Sequence, residues 1–136
     1  MKEFFELKGK TISSWSPVPT SKSDNIQGDD QVDFVLTDGT KCSIYHNQDC
    51  CEVVQLVKVI GDPTAVLGQP IKVATDDHPD DPEWMPEYKD LGGESYTWTR
   101  YQIITESGVE LELWFIGESN GYYSETMSFG GWPPKV

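Results

Sequence analysis

Residues 45–52, YHNQDCCE, bring several chemically reactive side chains within eight positions. The candidates are a histidine, two carboxylates and two adjacent thiols: His46, Asp49, Cys50, Cys51 and Glu52. Three interpretations fit these residue types. The stretch is a metal site, a thiol active site, or the end of a strand and a tight turn whose cysteines are buried.

The spacing of the cysteines weakens the first two interpretations. Cysteines of a structural zinc site usually stand about two to four residues apart, whereas Cys50 and Cys51 are adjacent and would point to opposite faces of a strand. Cys42 and His46 share a strand face, so a zinc site with one later cysteine stays open. A reactive thiol needs an electropositive setting, but the neighbouring carboxylates are negative. We favour a strand end and turn packed by its cysteines, without a metal or cofactor.

Residues 75–94 hold a second concentration of functional side chains. They carry eight carboxylates against one lysine, a local charge of −7. Loops of this length are usually functional or disordered, and the aspartates do not follow the spacing of a calcium-binding loop. A tryptophan among carboxylates suits anchoring to a basic surface, or it packs back onto the sheet. The predicted partner-binding residues are Asp76, Asp77, Asp80, Asp81, Glu83 and Trp84.

A third group is aromatic. Tyr96 and Trp98 share a strand face and could line a pocket for a flat ligand such as a nucleobase, although cross-strand aromatic pairs also simply stabilise sheets. Arg100 is one potential phosphate partner, and a nucleotide site usually has more than one cation. The predicted ligand-binding residues are Tyr96, Trp98, Arg100, Asn120, Tyr122 and Tyr123.

The charge restricts the class of partner. The formal net charge is −13, with only 10 lysines and arginines among 136 residues. Nucleic acids are bound by cationic side chains that neutralise phosphates, so we predict no direct nucleic-acid binding. The same charge favours association with a basic protein surface. No apolar run approaches the length of a membrane helix, the charged start is unlike a signal peptide, and three cysteines suit a reducing compartment. We therefore predict a cytoplasmic protein without membrane contact.

Alternating apolar positions predict strands through most of the chain. A turn at Asp38-Gly39 predicts a hairpin between the strands on either side of it. At 52–62, β-branched residues favour a strand over a helix. Tight turns predict a three-strand meander at the C-terminal end. The predicted strands are 31–37, 41–46, 52–62, 70–75, 95–105, 109–116 and 122–129, with a helical turn at 62–68 and either a short helix or a strand at the N-terminus. We expect one domain, 1–136, with irregular connections at 16–31 and 75–94. The predicted fold is a β-rich α+β domain, either a twisted antiparallel sheet or an open barrel with one or two short helical turns.

Two blocks of the sequence, YHNQDCCEVVQLVKVIGDPTAVLGQPI and ESYTWTRYQI with SNGYYSETMSF, carry a resemblance. They resemble an uncharacterised family of short proteins from bacteriophages, prophages and bacteria, classed as a domain of unknown function. The family carries no assigned activity, so the resemblance implies no catalytic residues. It implies an origin in a phage or another mobile element.

Charge and implied origin together lead to a functional expectation. We expect a non-catalytic binding protein that inhibits or sequesters a host component with a basic surface, with a counter-defence role as one form of it. One alternative is a small-molecule binder that holds a nucleotide-like ligand in the aromatic pocket. Another is a thiol- or metal-dependent hydrolase that uses the residues of the YHNQDCCE stretch, although no known catalytic motif is present.

Overall fold

The protein folds into two four-stranded antiparallel sheets. The computed structural model describes residues 3–21, 30–47, 52–84, 95–121 and 123–131. The first sheet has the strand order β1-β2-β3-β8, and the second has the order β4-β7-β6-β5. The strands are β1 (Ile12–Trp15), β2 (Val32–Leu36), β3 (Lys41–Tyr45), β4 (Val53–Ile60), β5 (Ile71–Asp77), β6 (Ser95–Thr105), β7 (Glu110–Ser119) and β8 (Ser128–Gly131).

The predicted β-rich class and its short helical turns are confirmed. The two helical elements of the described residues are 3₁₀ turns, Phe4–Leu7 and Pro63–Val66. The second turn begins as its sequence predicts, because the Asp62 carboxylate accepts a hydrogen bond of 2.9 Å from the backbone N–H of Thr64 and a proline takes the first position. Its Pro63 carbonyl accepts a hydrogen bond of 2.8 Å from the Trp15 indole, which ties the turn to β1.

Two of the three predicted tight hairpins form, each at a glycine with a left-handed backbone. Gly39 has a φ of 89° between β2 and β3, and Gly108 has a φ of 91° between β6 and β7. Side chains other than glycine rarely adopt this conformation. The stretch at 52–62, which also fits a helical stripe, is a strand as predicted.

The inward faces of the two sheets share one apolar core. Its largest members come from both sheets, with Phe34 on β2 and Phe115 on β7 each almost fully buried. Phe4 from the first 3₁₀ turn inserts between the sheets, in edge contact with Tyr101 at 4.7 Å and with Phe129 at 5.3 Å between ring centroids. Edge-to-face pairs at such distances are favourable, so the turn is part of the core.

The predicted third strand of the C-terminal meander is wrong in its bounds and its partner. Residues 123–127 are not in a strand, and β8 pairs with β3 of the first sheet instead of with β7. Both sides of β7 are already occupied, by β4 and β6. After the turn at 118–121 the chain therefore passes over the inner face of β7. It does so at Gly117, where an added Cβ would lie 1.8 Å from the Glu125 carbonyl oxygen.

The predicted loop at 75–94 begins later than expected. Strand β5 continues to Asp77, which pairs with Arg100 of β6. The continuation has a physical cause, because the Arg100 side chain donates hydrogen bonds to both carboxylate oxygens of Asp77, from Nε at 2.9 Å and from Nη2. Residues 85–94 of the loop and 22–29 of the predicted connection at 16–31 lie outside the described residues.

Candidate functional site

The second sheet has an apolar cluster on its outer face, on the side away from the core. Strand alternation places Trp98 of β6 and Trp114 of β7 there, and both are buried. A bulge in β4 between Leu56 and Lys58 adds Val57 to the same cluster. Tryptophans on an outer sheet face need a cover to be buried, and the cover is the acidic segment, which we define as residues 76–84.

Trp84 fixes the far end of the acidic segment. Its ring contacts those of Trp98 and Trp114 edge-on, with centroids 5.3 and 5.2 Å apart. The Lys58 ammonium lies 5.8 Å from the Trp84 ring centroid, within the range of a cation–π contact. Trp84 is half-buried, so of the two interpretations of this residue the structure shows the one in which it packs onto the sheet.

Asp81 joins the middle of the acidic segment to the aromatic strand. The Tyr96 hydroxyl donates to its two carboxylate oxygens at 2.9 and 2.8 Å, and the Trp98 indole N–H donates to one of them at 3.0 Å. This hydrogen bond to Asp81 raises the pKa of Tyr96 above its ordinary value, because the phenolate form would lose the bond and face a negative charge. The shared contact confirms that Tyr96 and Trp98 lie on one face.

His78 adds a further attachment. Its Nδ1 lies 3.0 Å from the Trp98 carbonyl oxygen, and since a carbonyl only accepts, Nδ1 carries the proton. The segment is thus held at Asp77, His78, Asp81 and Trp84. His78 was not among the predicted site residues, and nothing in its sequence surroundings indicates the backbone carbonyl that it binds.

A cleft of about 490 Å³ lies between the acidic segment and β6. Its lining combines carboxylates with aromatic rings, and so brings together members of the two predicted groups, partner-binding and ligand-binding. The lining residues are His78, Pro79, Asp80, Asp81, Tyr96, Thr97 and Trp98.

The local charge is negative. Asp76, Asp80 and Glu83 are exposed, and the side chains of Asp76 and Asp80 form no hydrogen bond or ion pair with another residue of the described part of the chain. Arg100, in contrast, is engaged by Asp77, and its guanidinium lies 5.2 Å from the Trp114 ring centroid. The hydrogen bonds to Asp77 raise the pKa of Arg100 further.

Three predicted ligand-binding residues lie elsewhere. Arg100, Asn120 and Tyr123 do not line the cleft, and Tyr122 is outside the described residues. For Arg100 this corrects the suggested role as a phosphate partner, because its side chain is committed to a carboxylate on the same sheet.

Two residues of the YHNQDCCE stretch, His46 and Glu52, form a separate, buried pair. His46 and Glu52 are almost inaccessible, with side chains 1% and 0% exposed, and His46 Nε2 lies 3.0 Å from Glu52 Oε2. His46 Nδ1 lies 2.8 Å from the Thr126 carbonyl oxygen and so carries a proton. Asp49, Cys50 and Cys51 lie outside the described residues.

A second buried carboxylate lies in the same C-terminal segment. Glu125 accepts hydrogen bonds from Ser95 at 3.2 Å, from Thr97 at 2.8 Å and from Ser119. A carboxylate in the protein interior is costly unless such donors replace water. Glu125 therefore holds the segment after β7 against β6 and β7, beside the Thr126 carbonyl that His46 binds.

These two arrangements join the blocks that carry the sequence resemblance. His46 and Glu52 come from the first block, while Thr97, Glu125 and Thr126 come from the second. A family model for a domain of unknown function, DUF7448, matches residues 6–129, which span both blocks. The chain belongs to the DUF7448 family. No curated protein and no solved structure matches it significantly.

Among the described residues of this DUF7448 domain, no group of three or more histidine, cysteine, aspartate or glutamate side chains could hold a metal ion. In the same ranges, no helix has the length and apolar character needed to cross a membrane.

Proposed function

We propose that this DUF7448 domain is a non-catalytic, cytoplasmic binding protein that inhibits or sequesters a partner through the acidic segment. The partner class is a protein with a basic surface. The implied origin in a phage or mobile element makes that partner a host component. The observation that carries the proposal is the attachment of a charged segment to the sheet at four points.

Attachment matters because association is costly when a loop must be ordered first. The ion pair at Asp77, the hydrogen bonds at His78 and Asp81 and the packing of Trp84 fix the backbone of the segment. The exposed carboxylates of Asp76, Asp80 and Glu83 are thereby presented in a defined arrangement. A preorganised cluster of like charge accelerates encounter with an oppositely charged surface and fixes its orientation.

Charge also separates the proposal from a nucleotide-binding function. The cleft is lined by two carboxylates, and the Arg100 guanidinium is already paired with Asp77. A phosphate entering the cleft would meet uncompensated negative charge. The aromatic walls are suitable for a flat ligand, but the electrostatics favour a cation.

Burial argues against the hydrolase alternative. A general base must come within hydrogen-bonding reach of the proton that it removes. The side chains of His46 and Glu52 are closed off from solvent and bound to each other. This arrangement fits a structural role for the pair.

The test is capture with matched charge variants. The native protein would be immobilised and exposed to a nuclease-treated bacterial lysate, beside D80N/E83Q and E106Q/E110Q. Each pair removes two negative charges, but Glu106 and Glu110, which lies opposite Ile104, are at the other end of the strands, about 26 and about 20 Å from Trp98 at ~3.3 Å per residue. We expect a basic protein retained by the native chain and by E106Q/E110Q and lost with D80N/E83Q. Equal retention by both variants would contradict the proposal.

A further inference from the structure

The cleft beside the acidic segment has the features of a binding site for one particular side chain. We propose that it receives the guanidinium group of an arginine on the basic partner. This inference rests on the proposed function, and it adds which residue of the partner is recognised and where.

The negative charge of the cleft comes from two carboxylates, one held by hydrogen bonds and the other without them. Asp81 is fixed in place, because Tyr96 and Trp98 both donate to it. Its Oδ1 accepts two hydrogen bonds and its Oδ2 accepts one, and since a carboxylate oxygen accepts about two hydrogen bonds, Oδ2 keeps an acceptor position. Asp80 is exposed and has no polar partner within the described part of the chain. One oriented and one adaptable carboxylate match the forked donors of an arginine.

The aromatic walls favour a planar cation over a compact one. Tyr96 is 43% exposed, so one part of its ring is available for contact, whereas Trp98 is 2% exposed and contributes its edge. A guanidinium plane stacks on an aromatic face while its N–H groups reach carboxylates in the same plane. A lysine ammonium is a point charge with a stronger hydration shell and would use the carboxylates but not the ring.

His78 is compatible with the same ligand. Its Nδ1–H is committed to the Trp98 carbonyl, so the neutral imidazole keeps Nε2 as an acceptor.

The test uses three small probes and follows the NMR signals of two indole N–H groups. The probes are N-acetyl-argininamide, N-acetyl-lysinamide, and the uncharged isostere N-acetyl-citrullinamide. The Trp98 indole N–H donates a hydrogen bond to Asp81 at the cleft. The Trp15 indole N–H donates to the Pro63 carbonyl instead and serves as an internal reference. We expect a saturable shift of the Trp98 signal with the arginine probe, a weaker response to lysine and none to citrulline, while the Trp15 signal stays in place.

Matched variants complete the design. Asp80→Asn removes a charge from the cleft, and Glu110→Gln removes one from the far end of the second sheet, opposite Ile104. We expect Asp80→Asn to weaken arginine binding about fivefold and Glu110→Gln less than twofold. Equal weakening by both variants, or equal responses to arginine and citrulline, would overturn the inference.

Arginine binding at the cleft and retention of the partner protein are measured separately, so that either can fail without the other. If D80N/E83Q loses the partner and the Trp98 signal does not shift with the arginine probe, the inference of an arginine site is overturned and the proposed function stands. If arginine shifts the Trp98 signal but both charge variants retain the partner equally, the proposed function falls and the cleft is a site for a free organic cation.

Discussion

Asp81 accepts a hydrogen bond of 3.0 Å from the indole N–H of Trp98, across 17 residues of chain. The bond joins the acidic segment to the aromatic strand, two features that are separate in the sequence. It gives the buried tryptophan a polar partner and holds the carboxylate at the cleft. The orientation of the Asp81 carboxylate and the packing of Trp98 are therefore coupled at this point of the second sheet.

The coupling leads to a prediction for Asp81→Asn. The hydrogen bond to Asp81 raises the pKa of Tyr96, so removing the negative acceptor should lower that pKa towards its ordinary value. Titration of ¹³C-labelled tyrosine by NMR would show it. The pKa of Tyr101 is also raised, mainly by burial, and should keep its position in the variant. An unchanged Tyr96 titration would show that Asp81 does not hold its hydroxyl.

The His46–Glu52 pair makes a prediction about stability. His46→Ala would remove the His46 hydrogen bond from the buried Glu52 carboxylate, and breaking a buried pair in this way costs about 3–5 kcal/mol. Glu52→Ala should also be strongly destabilising. The double variant should lose less than the sum of the two, because both single variants remove the same hydrogen bond. Urea unfolding of the four proteins would measure the coupling, and additive losses would argue against the pair.

The crossing of the chain over the inner face of β7 at Gly117 leads to a prediction about stability. In Gly117→Ala the new Cβ would lie 1.8 Å from the Glu125 carbonyl oxygen, a backbone clash that only movement of the crossing segment relieves. We expect a loss of at least about 3 kcal/mol in unfolding free energy. Gly130→Ala is the control, since its Cβ meets only the Tyr45 ring at an ordinary 3.7 Å. Similar losses for both variants would contradict the crossing.

Cys42 should be protected from alkylation in the folded protein. It is 1% exposed, and burial raises its pKa to about 11, so its reactive thiolate is rare at pH 8. The raised pKa also means that the folded state loses stability relative to the unfolded state as the pH rises from 9 towards 11. Peptide mapping after iodoacetamide should find Cys42 unmodified in the native state and modified in urea. Rapid native modification would show that the first sheet opens.

Local patterns were sufficient to predict the strands between residues 31 and 116 and two tight hairpins. Alternation and a glycine in the turn are properties of neighbouring residues, as at Asp38-Gly39 and before Val109. The path after Ser119 could not be predicted in this way. It depends on the occupied sides of β7, on the space at Gly117, and on hydroxyls of two strands that converge on Glu125.

The candidate site was predicted in its parts but not in its assembly. The acidic and aromatic residues were identified by type, and Tyr96 and Trp98 were placed on one face by alternation. That Asp81 would join them depends on where a long connection lies, which no local pattern determines. Arg100 was predicted from its charge to bind a phosphate. The strand register places it opposite Asp77, with which it forms an ion pair instead.

The central claim, that the acidic segment binds a basic partner, is tested most directly by the dissociation constant of the captured protein at several salt concentrations. Native protein, D80N/E83Q and E106Q/E110Q would be compared between 50 and 500 mM salt, about the range over which exposed charges become screened. The account predicts that the native affinity falls with salt and that D80N/E83Q binds roughly tenfold more weakly at low salt, with a flatter salt dependence, while E106Q/E110Q follows the native protein. Tight binding that is unchanged by salt, or equal affinities for the two variants, would contradict it.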